Sequence, residues 1–390
     1  MARTVAVVGG GVAGTASAYA LTGRRTPGVE ERGAVGDAEG RSAGNARGAH
    51  DPGASDEGGG DHSRPAWSGV TVEVDLFETA AALGGRIATR ERDGCRYDYG
   101  ANYVKAPDAR FQRVIDDALG ADRVPVDGRI RVHDGDGTVR EGRDEQADRW
   151  TGYGGLDALP TGLADASGAT VHTGTHVESL ARREDGWLVT VDGDSHRYDA
   201  VIVATEPSSV ARLLGGAGWD VPLRERVATA ADGVPYRTVP SVALHYPFRI
   251  ERPYYALVNV DGDHRVGWLA REECKPGHVP DGESLLIVQL SPTRALGRPP
   301  TPDAAISAAG DAAAALLDDP RLREPDWTDA VLWTAAQPER GVAPDLFERA
   351  LRHDLGLAGD WVAGTGRTFA ALQTGLDAGR RVRQRLEHDR

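Results

Sequence analysis

Lysine is almost missing from this chain. Only Lys105 and Lys275 occur among 390 residues, so nearly all of the 45 basic side chains are arginines. Cysteine is as scarce. Cys95 and Cys274 stand far apart, offer neither a metal-ligand spacing nor a disulfide framework, and read as two reduced thiols. No metal is expected on that basis. No apolar run approaches the roughly 18–20 residues that a membrane helix needs, so no membrane span is expected. The first apolar run starts within a few residues of the N-terminus, which leaves no signal peptide and points to a cytoplasmic protein.

Positive charge is also in deficit. Asp and Glu number 59, giving a net charge of −14. Such an acidic surface argues against nucleic acid as a partner. Acidity with almost no lysine fits the cytoplasm of a halophilic prokaryote, where carboxylates hold water and salt screens their repulsion. A high-GC coding sequence with ordinary acidity is the alternative source of the same composition. Glycine, at 50 residues, is abundant, hydrophobic content is 40% and mean hydropathy is −0.40. These values describe a globular chain long enough for two interwoven domains.

The most informative run is Val5-Ala-Val-Val-Gly-Gly-Gly-Val-Ala-Gly14. It reads as a buried strand, a tight turn and a helix start, with Gly9, Gly11 and Gly14 in G-x-G-x-x-G register. Glycine there permits a sharp turn and close approach to a pyrophosphate, and the helix N-terminus with Val12 and Ala13 offers free N–H groups to it. A helix is expected from about 11 to 21. Residues 24–69 then lose aliphatic periodicity and read as a disordered insertion. Order resumes in an alternating strand, 70–77, that ends in Glu78. An acid for the ribose hydroxyls belongs roughly 20 residues past the glycines. Glu78 lies 64 past Gly14, and removing the insertion restores the spacing.

Beyond residue 110 the pattern predicts helices over 111–119, 157–166 and 303–318, and strands around 129–140, 170–180, 186–192 and 198–204. Residues 238–291 alternate as an antiparallel meander, with runs at 242–246, 255–260, 265–270 and 284–290. Strands near 328–334 and 361–363 and a long helix from Thr368 to Glu387 complete the chain.

After Glu78 come Leu83-Gly84-Gly85-Arg86-Ile87-Ala88-Thr89 and Asp98-Tyr99-Gly100-Ala101-Asn102-Tyr103; near the C-terminus stand Gly359-Asp360, Gly364 and Gly366. In this order the motifs resemble the flavin amine oxidase superfamily. The resemblance implies an α/β fold: a glutathione-reductase-type, Rossmann-like FAD-binding domain with an α+β substrate domain built on an antiparallel sheet. The FAD-binding domain is expected over 1–105, 151–215 and 328–390, the substrate domain over 106–150 and 216–327. It further implies that Gly84, Gly85, Gly100, Ala101 and Asn102 line the cofactor. Arg86 would neutralise pyrophosphate with a forked guanidinium. Val177 would bracket the adenine, and Asp360 would hold a ribityl hydroxyl or phosphate-bound water. The helix beginning at Thr368 and Phe369 would aim its positive end at the flavin. No cysteine lies near that last motif, so FAD is expected to be noncovalent.

A narrower resemblance is to renalase-like proteins, carried by Gly267-Trp268 through Lys275-Pro276-Gly277-His278, by Trp333-Thr-Ala-Ala-Gln-Pro338 and by Gly154-Gly155-Leu156. The turn Thr365-Gly366-Arg367 departs from that group. The implied chemistry is hydride transfer from a small reduced substrate, a dihydronicotinamide-type ring or an amine, to flavin N5, with O2 or another acceptor taking the electrons. Candidates to line the reaction site are Asn102, Tyr103, Trp333 and Phe369; the last two read equally as core aromatics. Lys275 is a candidate to approach N5 through water, or else a loop lysine. His245 reads as a core histidine. An isoprenoid or carotenoid-type desaturase, and a non-catalytic flavin- or nucleotide-binding redox sensor, remain as alternatives. The sequence leaves the oligomeric state open.

Overall fold

The computed structural model describes residues 2–23, 70–142, 148–219, 221–292 and 300–388. The expected insertion at 24–69 lies outside the described residues. The apolar run after the N-terminus becomes β1 (Arg3–Val8), the centre of a five-stranded sheet. Beside it lie β2 (Val72–Phe77) and β9 (Thr170–His172) on one side, and β13 (Ala200–Val203) and β19 (Leu355–Leu357) on the other, all parallel. Because side chains alternate along a strand, Val5 and Val7 face one layer and Ala6 and Val8 the other.

The Val5 face is covered by α1 (Val12–Thr22) and α9 (Thr368–His388). These helices approach closely. A Cβ at Gly375 would stand 2.2 Å from the Ala13 carbonyl oxygen and one at Gly379 2.3 Å from that of Ser17. The Ser17 hydroxyl donates to the Gly375 carbonyl at 3.1 Å. α2 (Ala109–Leu119) and α3 (Ala158–Ser167) pack on the outer side of α1 through Phe111, Ile115, Leu159 and Leu163. The Ala6 face meets the antiparallel sheet β10 (Val177–Arg183), β11 (Gly186–Val191) and β12 (Asp194–Tyr198). That layer also takes α4 (Pro207–Gly215), α5 (Pro222–Asp232) and α7 (Pro344–Leu351).

The second large sheet has seven strands. Its order is β18 (Trp327–Pro338), β14 (Tyr236–Tyr246), β17 (Ser284–Leu290), β16 (Val266–Arg271), β15 (Ala256–Asn259), β6 (Ile130–His133) and β7 (Val139–Glu141). All neighbours are antiparallel except β15 and β6. One face, with Val242, Leu244, Leu286 and Val288, is sealed by α6 (Pro302–Leu316). The opposite face, with Ala243, Leu285 and Ile287, receives the hairpin β3 (Thr89–Arg92) and β4 (Cys95–Asp98) through Cys95 and Tyr97. A short pair, β5 (Arg123–Pro125) and β8 (Trp150–Gly152), and a one-turn α8 (Asp360–Ala363) complete the elements.

Three sequence expectations change. Residues 361–363 are helical in α8, and the strand of this region is β19, whose Leu355 and Leu357 are buried against β13. Trp327–Pro338 pairs with β14, so it belongs to the seven-stranded sheet rather than to a unit spanning 328–390. α2 and α5 pack with the parallel-sheet layers although both fall in segments assigned to the other domain, because their apolar faces find the cores of α1–α3 and of α4. Among the described residues, no helix is long and apolar enough to cross a membrane.

Candidate functional site

The turn after β1 has the features its glycines require. Gly9 adopts φ +109°, and a Cβ at Gly14 would meet the Gly9 carbonyl oxygen at 1.8 Å, so the helix start can sit this close to the turn only as glycine. Gly11 caps α1 without a side-chain hydrogen bond, which leaves the first-turn amides of Val12, Ala13 and Gly14 facing out from the helix end. The Gly84-Gly85 loop lies against this turn: Gly84 N–H donates to the Gly10 carbonyl at 3.1 Å. Around Gly11 and Gly85 there is room. Their added Cβ atoms would find nothing nearer than 3.8 and 3.9 Å. Glu78, just past β2, accepts from the Gly10 amide at 2.7 Å and the Ala80 amide at 2.8 Å. The segment leading to Val177 passes the same place, with Thr175 N–H donating to the Glu78 carbonyl at 2.8 Å; Val177 itself is buried beside Phe77.

Arg86 follows in a 3-10 turn, Gly85–Ile87. It forms a two-point pair with Asp360 at the start of α8, at 2.7 and 2.8 Å, and donates to the Ala336 carbonyl at 3.1 Å. Tyr236 donates to the same carboxylate at 3.2 Å. Burial works against the Arg86 charge, but Asp360 and Tyr236 outweigh it and raise its pKa above the ordinary value. Thr368 and Phe369 stand half-buried in the first turn of α9, after Gly366, whose Cβ position is closed by Gln337.

Residues 99–103 cross the inner face of the seven-stranded sheet and are fixed from both sides. Ala101 N–H donates to the Arg86 carbonyl at 2.9 Å. From the sheet, Gln289 donates to the Gly100 carbonyl at 2.6 Å, Trp333 to the Tyr99 carbonyl at 3.0 Å, and Trp268 to the Asn102 amide oxygen at 3.1 Å. Tyr99 stacks on Trp333 with ring centroids 5.3 Å apart, and Tyr103 lies 6.0 Å from Trp268. Register puts Val331, Ser241, Gln289 and Trp268 side by side across four strands. In that row the Ser241 hydroxyl is buried with no partner. An orphaned donor beside half-buried rings, next to an open glycine cradle and a helix N-terminus, suits an extended, anionic, ring-bearing cofactor.

Asn102, Tyr103 and Trp333 all lie along this sheet face, Asn102 and Tyr103 against Trp268 and Trp333 against Tyr99. Lys275 does not join them. Its ammonium is wholly buried, 2.7 Å from Asp98 and 2.8 Å from Glu272, and His278 closes the cluster at 3.3 Å from Glu272. Two buried carboxylates require a counter-cation, and Lys275 supplies it. Burial pulls its pKa down, but Asp98 and Glu272 outweigh burial and raise it; burial likewise pushes Asp98 up, and Lys275 and His278 overcome that and lower it. His245 is buried as expected. Sequence reading passed over Tyr236, Ser241, Trp268 and Gln289 as site residues. The available signal was a lone polar residue in an apolar strand, as Gln289 is in Leu285–Leu290.

A family model for flavin containing amine oxidoreductases matches residues 137–383, and one for an NAD(P)-binding Rossmann-like domain matches 67–118. Among solved structures, cyclohexylamine oxidase from Brevibacterium oxydans IH-35A is similar at 15% identity and TM-score 0.68, covering 99% of this chain and 100% of that one. Putrescine oxidase bound to putrescine matches at 14% and 0.67, with 100% and 99% coverage. A CLA-producing fatty acid isomerase from P. acnes matches at 10% and 0.64, with 96% and 97% coverage. At these identities the structures establish the fold alone, while the family model spans well over half of the chain. The chain thus belongs to the flavin-containing amine oxidoreductase family and is an FAD-dependent oxidoreductase.

Proposed function

We propose that this protein takes a hydride from a small planar donor, a dihydronicotinamide-type ring in first place and an amine in second. When bound, FAD would supply the hydride acceptor at N5, with O2 or another acceptor as the final electron sink. The glycine turn of Gly9, Gly11 and Gly14, with the amides of Val12 and Ala13, receives the pyrophosphate, and Arg86 balances its charge. Glu78 takes ribose hydroxyls, Val177 borders the adenine, and Gly84 and Gly85 let the backbone come close. Gly100, Ala101, Asn102, Asp360, Thr368 and Phe369 border the ring end. Neither thiol lies on the turn before α9, so the cofactor is held noncovalently.

The environment of Tyr103 carries the substrate reading. Its ring, beside Trp268, has Lys105 at 5.7 Å and the Arg149 guanidinium at 5.8 Å. The aromatic rings suit a flat substrate ring, and the Asn102 and Gln289 amides suit a carboxamide. The same amides and cations are poor neighbours for an isoprenoid hydrocarbon, which places a desaturase behind both readings.

Anaerobic bleaching of the flavin absorbance tests this. Bleaching by dihydronicotinamide isomers but not by benzylamine supports the first reading; bleaching by benzylamine alone moves the assignment to amines; bleaching by neither contradicts both. We further propose a salt-rich cytoplasm as the working environment, from the net charge of −14. A melting temperature that does not rise with KCl contradicts it.

A further inference from the structure

A second cluster closes the far end of the inner sheet face and takes no part in the site above. Cys95 on β4, His245 on β14 and Glu283 just before β17 bring one donor atom each within 4.8 Å of the others. Cys95 is fully buried and the His245 side chain is 6% exposed, whereas Glu283 keeps 34% of its surface open. His245 Nε2 lies 2.9 Å from Glu283, while Nδ1 faces the Asp326 carboxylate at 3.4 Å. The ring is held flat against Trp327, with centroids 4.9 Å apart and planes 7° from parallel.

We propose that Cys95, His245 and Glu283 form a site for a zinc-like divalent transition metal ion. Thiolate, imidazole and carboxylate are the donor types such an ion selects. His245 Nδ1 is buried without a hydrogen-bond partner and faces the Asp326 carboxylate 3.4 Å away; a ligating histidine commonly donates this second ring N–H to a carboxylate, and Asp326 is placed to receive it after a small movement. Partial exposure of Glu283 leaves a side through which the ion and a fourth, water ligand reach the site. Metal binding exchanges the thiol proton of Cys95 for the ion and releases that proton to solvent. Without the ion, burial, with Glu283, Asp93 and Glu273, pushes the Cys95 thiol up to about 11, so it stays protonated at neutral pH. The other clustered donor set, Asp98, Glu272 and His278, differs in already holding a cation, the Lys275 ammonium. An ion at Cys95 would tie β4 to β14 and β17, five residues before Gly100, and so brace the segment that carries Asn102 and Tyr103.

The test uses the FAD-loaded enzyme, stripped with a chelator, equilibrated with Zn²⁺ alone and desalted. We expect about one retained zinc per chain with one sulfur neighbour at about 2.3 Å by X-ray absorption. Cys95→Ser should lose the zinc and Cys274→Ser should keep it. Asp326→Asn, at an exposed position, should weaken binding about 10–100-fold. If Cys95→Ser fails to fold, Glu283→Gln replaces it and must weaken retention. The proposal is overturned by absence of retained zinc, by a sulfur-free shell, by zinc that survives Cys95→Ser, or by zinc lost in Cys274→Ser.

Discussion

Arg86 and Asp360 meet through two parallel contacts of 2.7 and 2.8 Å although 274 residues separate them. The pair joins the glycine loop behind β2 to the turn that precedes α9, so the two ends of the chain face the same space. A lysine keeps the charge but cannot make the fork. Both arms of the fork are held by Asp360, so Arg86→Lys should cost about 1.5–3 kcal/mol of stability, and the loosened joint between the two chain ends should weaken FAD. Equilibrium dialysis of FAD reads this directly, and an unchanged affinity would remove Arg86 from the cofactor site.

The Asp98–Lys275–Glu272 cluster sets a stability window. Asp98 is lowered when folded, so its contribution is present above its unfolded value near ~3.9 and is lost as pH falls through the folded pKa. Lys275 is raised, so its contribution is present below about 10.4 and is lost as pH rises past its folded pKa. Lys275→Met strands two buried carboxylates and should cost about 3–5 kcal/mol at neutral pH. In acid those carboxylates protonate and the difference from wild type should shrink. Urea melts at several pH values measure it; a pH-independent difference counts against the assignment.

Ser241 separates folding from binding. Its buried hydroxyl has no partner, and an unsatisfied group of this kind costs about 1–3 kcal/mol. Ser241→Ala should leave the FAD-free protein as stable or more stable. If cofactor or substrate supplies the missing partner, the same change should weaken that ligand about 2–10-fold, the equivalent of ~0.5–1.5 kcal/mol. Calorimetry with and without ligand distinguishes the two effects, and a destabilised FAD-free variant with unaltered ligand affinity would contradict the assignment.

Local chemistry made much of this legible in the sequence. The apolar run before Gly9, the alternation ending at Glu78 and the meander over 238–291 map onto β1, β2 and four strands of the seven-stranded sheet. What stayed hidden was non-local. Nothing in the alternation of Trp327–Pro338 says that its partner is β14 rather than the parallel sheet. Gly375 and Gly379 fall inside the helix expected from Thr368 to Glu387, and only the crossing of α1 and α9 explains them. The Lys275 motif was visible, but whether an ammonium faces a cofactor or two buried acids depends on where Asp98 arrives from 177 residues away.

The most direct test of the cofactor cradle is FAD binding by Gly11→Ala. Gly11 has φ −77°, and its added Cβ would meet nothing closer than 3.8 Å, so the FAD-free variant should fold and melt as the wild type does. The new methyl group occupies the space where the backbone must approach a pyrophosphate, so FAD affinity should fall at least about tenfold. Titration of both FAD-free proteins with FAD, followed by flavin fluorescence, gives the answer. Saturable binding of about one FAD per wild-type chain, weakened in the variant, is the expected result. A wild type that takes up no FAD, or a variant that binds it equally well, would contradict the account.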